Sequence, residues 1–238
     1  MSAPRCGGCA CGPLPVIGAR FAVIAHGQPG DPGALQPALE SLAARVSAEL
    51  GAPVAGATLA CPRSLSALRG VQAVYPLFMA GGWFVSSEMP RRLRAAGVEG
   101  YGVLPPLGAD AALPALGARL AQEAACAAGI DPAGATLVVV GHGSSRSGAS
   151  ADATRAFAAA IPHGFARVLT GFLEEAPFLH DLAPDGPAVC LPFFATNGSH
   201  MTCDIPEGWQ RIGAPGPIAP AIGTTDPIPA LIAAALRA

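Results

Sequence analysis

Short apolar and β-branched runs alternate along the chain with longer stretches in which apolar residues recur every three or four positions. The runs predict strands over 21–25, 54–59, 71–77 and 101–104, and again over 136–140, 167–172 and 188–193. A further strand near 217–219 is weakened by its prolines. Between them, Leu35, Leu39, Leu42, Val46 and Leu50 share one helical face that ends at Gly51. Similar spacing predicts helices over 86–96, 111–128 and 151–161, and a final helix with Asp226 as its cap and Pro227 in its first turn. Strand followed by helix, repeated, is the pattern of a parallel-sheet α/β protein.

The two groups of strands carry the same landmarks. An apolar strand runs into His-Gly at His26-Gly27 and again at His142-Gly143, 116 positions later. The same offset relates Pro76-Leu77-Phe78 to Pro192-Phe193-Phe194, and Pro90 to Pro206. Three ungapped correspondences imply duplication and fusion of one α/β unit. The Gly/Pro/Asp stretch 129–134 reads as the boundary, giving a Cys-containing tail (1–18), a first lobe (19–130) and a second lobe (135–238).

Composition narrows the function. The chain has 238 residues, 51% hydrophobic and 13% charged, with a net charge of −2, ample for a packed core and without a broad basic field for nucleic acid. The mean hydropathy of +0.44 comes from Ala-rich runs, each broken before the roughly 18–20 residues that span a bilayer. No membrane span or signal peptide is expected, and the protein reads as cytoplasmic. Cys61, Cys126, Cys190 and Cys203 lie in contexts that predict reduced, buried thiols. Cys6, Cys9 and Cys11 supply only three thiolates, one short of a four-ligand cluster, so they read as a flexible tail.

Ligands of open parallel sheets bind beyond the carboxyl ends of the strands. His26 and His142 each end a strand, and the segment from Gly143 through Ser144 and Arg146 to Gly148 offers amides and hydroxyls to an anion. His200 lies in the loop after the next strand but one, and Glu174 and Glu175 end the strand between. Two imidazoles and a carboxylate on one rim suit a divalent transition metal and leave coordination positions open for exchange. The repeat sets Phe84 against His200 and Glu88 against Asp204; through Pro62 and Pro177 it sets Leu59 and Ala60 against Glu174 and Glu175. Only His26 survives in the first half, which predicts a single equipped site in the second.

At these residues the chain resembles the class II tetrapyrrole chelatases, in particular the sirohydrochlorin cobaltochelatase and ferrochelatase group. The resemblance rests on His142-Gly143-Ser144, on Phe172-Leu173-Glu174 followed by Pro177, and on Pro192-Phe193-Phe194 through Gly198-Ser199-His200 to Asp204-Ile205-Pro206. It covers most of both halves and is strongest over 137–206. It implies two flavodoxin-like lobes around a cleft and the insertion of Co²⁺ or Fe²⁺ into sirohydrochlorin without ATP or an organic cofactor. Cobalt, for cobalamin synthesis, is placed first. The family's metal-site histidines carry over to His142 and His200 and its acidic position to Glu174, with Glu175 close behind because the register before Pro177 is ambiguous.

Sirohydrochlorin must shed two pyrrole protons as a dication enters. The implied roles are therefore metal delivery by His142 and His200, and proton acceptance or imidazole orientation by Glu174 or Glu175. The substrate's carboxylates require arginine; Arg146 is best placed, beside Ser144, and Arg91 and Arg92 follow the loop of Phe84. His26 is a candidate to touch the macrocycle, as are Phe84, Trp83 and Phe194, although core or rim packing is the commoner role for any one of these three rings. The expected partners are small molecules, the tetrapyrrole and the metal, and internal duplication predicts a monomer. A non-catalytic metal or tetrapyrrole carrier would use the same residues. Serine hydrolysis is disfavoured because Ser144 and Ser145 sit in no Gly-x-Ser-x-Gly elbow, and histidine-phosphatase chemistry because no Arg precedes either His-Gly.

Overall fold

The computed structural model describes residues 18–162, 164–213 and 216–238, so Cys6, Cys9 and Cys11 lie outside the described residues. In chain order it runs β1 (Phe21–Ala25), α1 (Gln36–Leu50), β2 (Val54–Thr58), α2 (Pro62–Ser66), β3 (Ala73–Pro76), α3 (Met89–Ala95) and β4 (Gly102–Val103). It continues with α4 (Leu113–Ala127), β5 (Thr136–Gly141), α5 (Ala149–Ala160), β6 (Arg167–Phe172), β7 (Ala188–Pro192), α6 (Ile205–Arg211) and α7 (Ile228–Arg237). The strands form two parallel sheets, ordered β2-β1-β3-β4 and β6-β5-β7. Every residue of β5 is buried, which is why that strand reads as an unbroken apolar run. The doubtful strand near 217–219 reduces to a single parallel bridge between Ile218 and Cys190, as its prolines require.

The chain divides into two compact units, one of residues to Leu107 together with Asp226–Ala238, the other of Gly108–Thr225. This differs from the expected break at 129–134, because the closing helix of each half belongs to the opposite unit. The apolar face of α4 (Leu113, Leu116, Leu120, Ala121, Ala125) is buried in the second unit, where α4 packs on β7 and α5. Helix α7 packs on α1 and β3 of the first unit. The stretch at 129–134 is a turn inside the second unit, with the Asp131 carboxylate accepting from Ala133 N–H at 3.0 Å.

Within each unit the local geometry repeats. Wide π turns at Phe84–Glu88 and His200–Asp204 lead into α3 and α6, the bounds of both pairs being 116 residues apart. Each of these helices has proline at its second position, Pro90 or Pro206. Proline cannot donate to the carbonyl four residues back and its ring crowds that carbonyl, so the preceding turn opens to i→i+5 bonds. The amides of Met89 and Ile205 accordingly donate to the carbonyls of Phe84 and His200.

Other expectations are corrected by tertiary contacts. Asp226 does not cap the last helix: Pro227 occupies the cap position, and Asp226 pairs with Arg45 at 2.9 Å. Cys61 and Cys190 are buried, and burial pushes the Cys190 thiol pKa up, but Cys126 and Cys203 are exposed. Among the described residues, no helix is long and apolar enough to cross a membrane.

Glu88, only 4% exposed, receives Arg91 at 2.7 Å and Arg92 at 2.6 Å. Hydrogen bonds from these two guanidiniums hold its carboxyl down at about 2, against an ordinary 4.5. A lowered folded-state pKa stabilises the fold fully above the unfolded value, and the contribution disappears as pH falls from 4.5 towards 2. Glu88→Gln is expected to melt lower than wild type at neutral pH, with the gap narrowing across that acid window; thermal melts as a function of pH measure it.

Candidate metal-insertion site

Strand β5 delivers His142 to the carboxyl edge of its sheet. The next residue, Gly143, has φ of +73°, and a Cβ there would come within 2.9 Å of the Glu175 side chain and 3.0 Å of Phe172 Cβ. Only glycine fits such a turn without strain. His142 Nδ1 lies 2.9 Å from the Gly143 carbonyl. A carbonyl only accepts, so Nδ1 carries the proton and the Nε2 lone pair is free. That Nε2 is 3.8 Å from Glu174 Oε1.

His200 opens the π turn before α6. Its Nδ1 donates to Asp204 Oδ2 at 2.7 Å, which again leaves Nε2 as the bare nitrogen. The two imidazole rings stand edge to face, 4.7 Å apart at 88°. Phe194 lies 6.4 Å from one ring and 6.1 Å from the other, and is buried in the core instead of being offered to a ligand. The His200–Asp204 contact leaves only a faint trace in the sequence, an acid four positions after a histidine, just ahead of Ile-Pro.

The adjacent acids are distinct. Glu175 accepts from Ser144 N–H at 2.9 Å and so ties the β6 end to the loop after His142. Glu174 is the one that faces His142. Its N–H donates to the His142 carbonyl at 3.0 Å, as Ala60 N–H does to the His26 carbonyl at 3.2 Å. By this backbone bond Ala60 answers to Glu174 and not Leu59, whereas against the turn glycine Ala60 lies beside Gly27 as Glu175 lies beside Gly143, so the Ala60–Glu175 pairing holds for the side chain.

Ser144 Oγ accepts from Arg146 N–H at 3.2 Å, and the exposed Arg146 guanidinium has no partner among the described residues. Arg91 and Arg92, expected as carboxylate receptors, are instead bound to Glu88, and Arg92 also donates to the Leu59 carbonyl. In the first unit His26 repeats the bond to its glycine carbonyl at 2.6 Å, and Phe84 stands where His200 stands, 4.3 Å away at 88°. Trp83 and Phe84 are 58% and 39% exposed, more than core packing would leave them. No cluster of three or more His, Cys, Asp or Glu able to hold a metal ion occurs among the described residues. Two imidazole donors with a carboxylate nearby form an open grip, suited to an ion that must be handed on.

The sequence profile of the CbiX family matches residues 136–237, the stretch containing His142, Glu174 and His200. Among solved structures, the chain is similar to a CbiX described as the terminal enzyme for biosynthesis of siroheme in denitrifying bacteria. The identity is 45% and the TM-score 0.85, covering 92% of this chain and 98% of that one. SirB from Bacillus subtilis with Fe³⁺ shares the fold at 16% identity and a TM-score of 0.71, covering 91% and 93% of the two chains. SirB from Bacillus subtilis subspecies spizizenii in complex with cobalt does so at 14% and 0.63, with the same coverage. Comparison with curated protein sequences gives no significant match. Identity of 45% over nearly the whole length, with the family profile lying on the half that carries the paired imidazoles, places the chain in the CbiX family of class II sirohydrochlorin chelatases, enzymes that insert a metal ion into a tetrapyrrole.

Proposed function

We propose that this protein inserts ferrous iron into sirohydrochlorin, using His142 and His200 to hold the ion and Glu174 to take up protons. The carrying observation is the pair of imidazoles 4.7 Å apart, each with Nδ1 engaged as a donor so that each presents an Nε2 lone pair. The resemblance in sequence alone puts Co²⁺ first. The 45% identical relative is a siroheme enzyme, which favours Fe²⁺ and leaves Co²⁺ as the second reading. The ligands themselves do not choose, since imidazole accepts both ions.

Insertion exchanges one dication for two pyrrole protons, so charge balances only if both protons leave. Neutral imidazoles bind the ion without trapping it. Glu174, half-exposed and 3.8 Å from His142 Nε2, accepts the two protons in turn, passing the first to water before it takes the second. Glu175 holds the loop through Ser144, and the unpartnered Arg146 on that loop meets a substrate carboxylate. His26 and the exposed Phe84 are the corresponding candidates for macrocycle contact in the first unit. The reading is of a cytoplasmic, monomeric enzyme without an organic cofactor.

Anaerobic incubation with sirohydrochlorin and Fe²⁺, Co²⁺ or Ni²⁺ in turn, followed by the absorbance change of the macrocycle, tests this. Insertion is expected to be fastest with Fe²⁺. A protein that binds metal and sirohydrochlorin and releases both unchanged is a carrier, and the enzymatic reading then fails.

A further inference from the structure

We propose that Asp204 is a positioning residue that fixes the His200 ring and its tautomer for metal transfer; the inference rests on His200 being a metal ligand, as proposed above. The two units make the argument by comparison. At the end of each π turn stands an acid, Glu88 in the first unit and Asp204 in the second. In the first unit the ring at the start of the turn is Phe84, which has nothing to donate, and Glu88 turns to Arg91 and Arg92. In the second unit the ring is His200, and the acid receives its Nδ1–H at 2.7 Å.

The substitutions that release the acid are visible in α6. The positions matching Arg91 and Arg92 are Glu207 and Gly208, so neither supplies a cation to compete for Asp204. A Cβ at Gly208 would approach Leu179 Cδ2 to 2.9 Å, so a larger residue there requires the Leu179 side chain to shift. The widened turn, the histidine at its start, the free acid at its end and the glycine four residues further on form one consistent device. A carboxylate on the far nitrogen of a ligating imidazole holds the ring in place and strengthens it as a donor, and loss of such a partner typically weakens metal binding about 10–100-fold. His142 uses a backbone carbonyl for the same purpose, so of the two imidazoles only His200 depends on a side chain that can be changed.

The test compares wild type with Asp204→Ala, Asp204→Asn and His200→Ala. Co²⁺ binding is read by titrating the protein with the metal alone and following the visible absorption of the bound ion; insertion is read by KM for metal and for sirohydrochlorin. Asp204→Ala is expected to raise the Co²⁺ Kd and the KM for metal at least about tenfold, with the KM for sirohydrochlorin unchanged. Asp204→Asn keeps an oxygen that accepts from Nδ1–H, so it should recover most of that loss. Full insertion by His200→Ala would overturn the metal-ligand reading itself. With His200→Ala impaired, a Kd for Asp204→Ala within twofold of wild type would overturn the positioning role alone, as would Asp204→Asn as weak as Asp204→Ala. A purely structural role would lower the melting temperature of Asp204→Ala without moving the Kd of its folded fraction, which counts against the proposal.

Discussion

His200→Ala is expected to lose metal insertion by more than the roughly 10–100-fold that loss of a ligand's outer partner costs, while the protein stays folded. The side chain is about one-third exposed and sits on a turn, so its removal opens no core cavity. What remains is a single neutral imidazole, His142, with Glu174 beside it, and one nitrogen donor holds a borderline dication poorly. Anaerobic single-turnover absorbance traces, paired with a thermal melt, give both readings at once. A variant that melts like wild type and still inserts metal at its rate would remove His200 from the mechanism. Phe84→Ala, at the matching place in the first unit, should leave the stoichiometry of bound Co²⁺ unchanged.

Gly143→Ala should cost both stability and activity. The new methyl is forced into a left-handed backbone, 2.9 Å from Glu175 Cγ, closer than real Cβ atoms come, and tightly against Phe172 Cβ at 3.0 Å. A strained backbone of this kind costs on the order of 1–3 kcal/mol. Relief means moving Glu175, which breaks its bond to Ser144 N–H and frees the loop that presents Arg146. Glu175→Ala is the control, since it cuts the same tie without the strain. Urea unfolding should rank wild type above Glu175→Ala and Glu175→Ala above Gly143→Ala, with insertion rates in the same order. Wild-type stability for Gly143→Ala would mean that the turn is not constrained as described.

The strands were legible because their signal is local: β1 and β6 have the bounds predicted from their apolar runs. The short helices were harder. Helices α2 and α6 span five and seven residues, too few to display a helical period, and each begins around a proline. The π turns have no periodicity of their own and follow from prolines that also read as helix starts. That His142, His200 and Glu174 come together could be read because each stands at a strand end or in a loop of the repeat. The separate tasks of Glu174 and Glu175 could not, since one residue of register decides which acid faces the imidazole. Nor could the fates of Arg91, Arg92 and Asp226, whose partners are set by packing and not by chain pattern.

The exchange of closing helices bears on how the chain acquires its structure during synthesis. Helix α1 is complete by Leu50, yet its packing partner α7 begins only at Ile228. The first unit therefore leaves the ribosome with one apolar flank uncovered and keeps it so until the second unit has been made. Gly108–Thr225, which contains its own closing helix, can finish first even though it is translated later. Premature termination anywhere after Thr225 but before α7 would thus release a chain whose His142–His200 half is whole and whose opposite half stays open to aggregation.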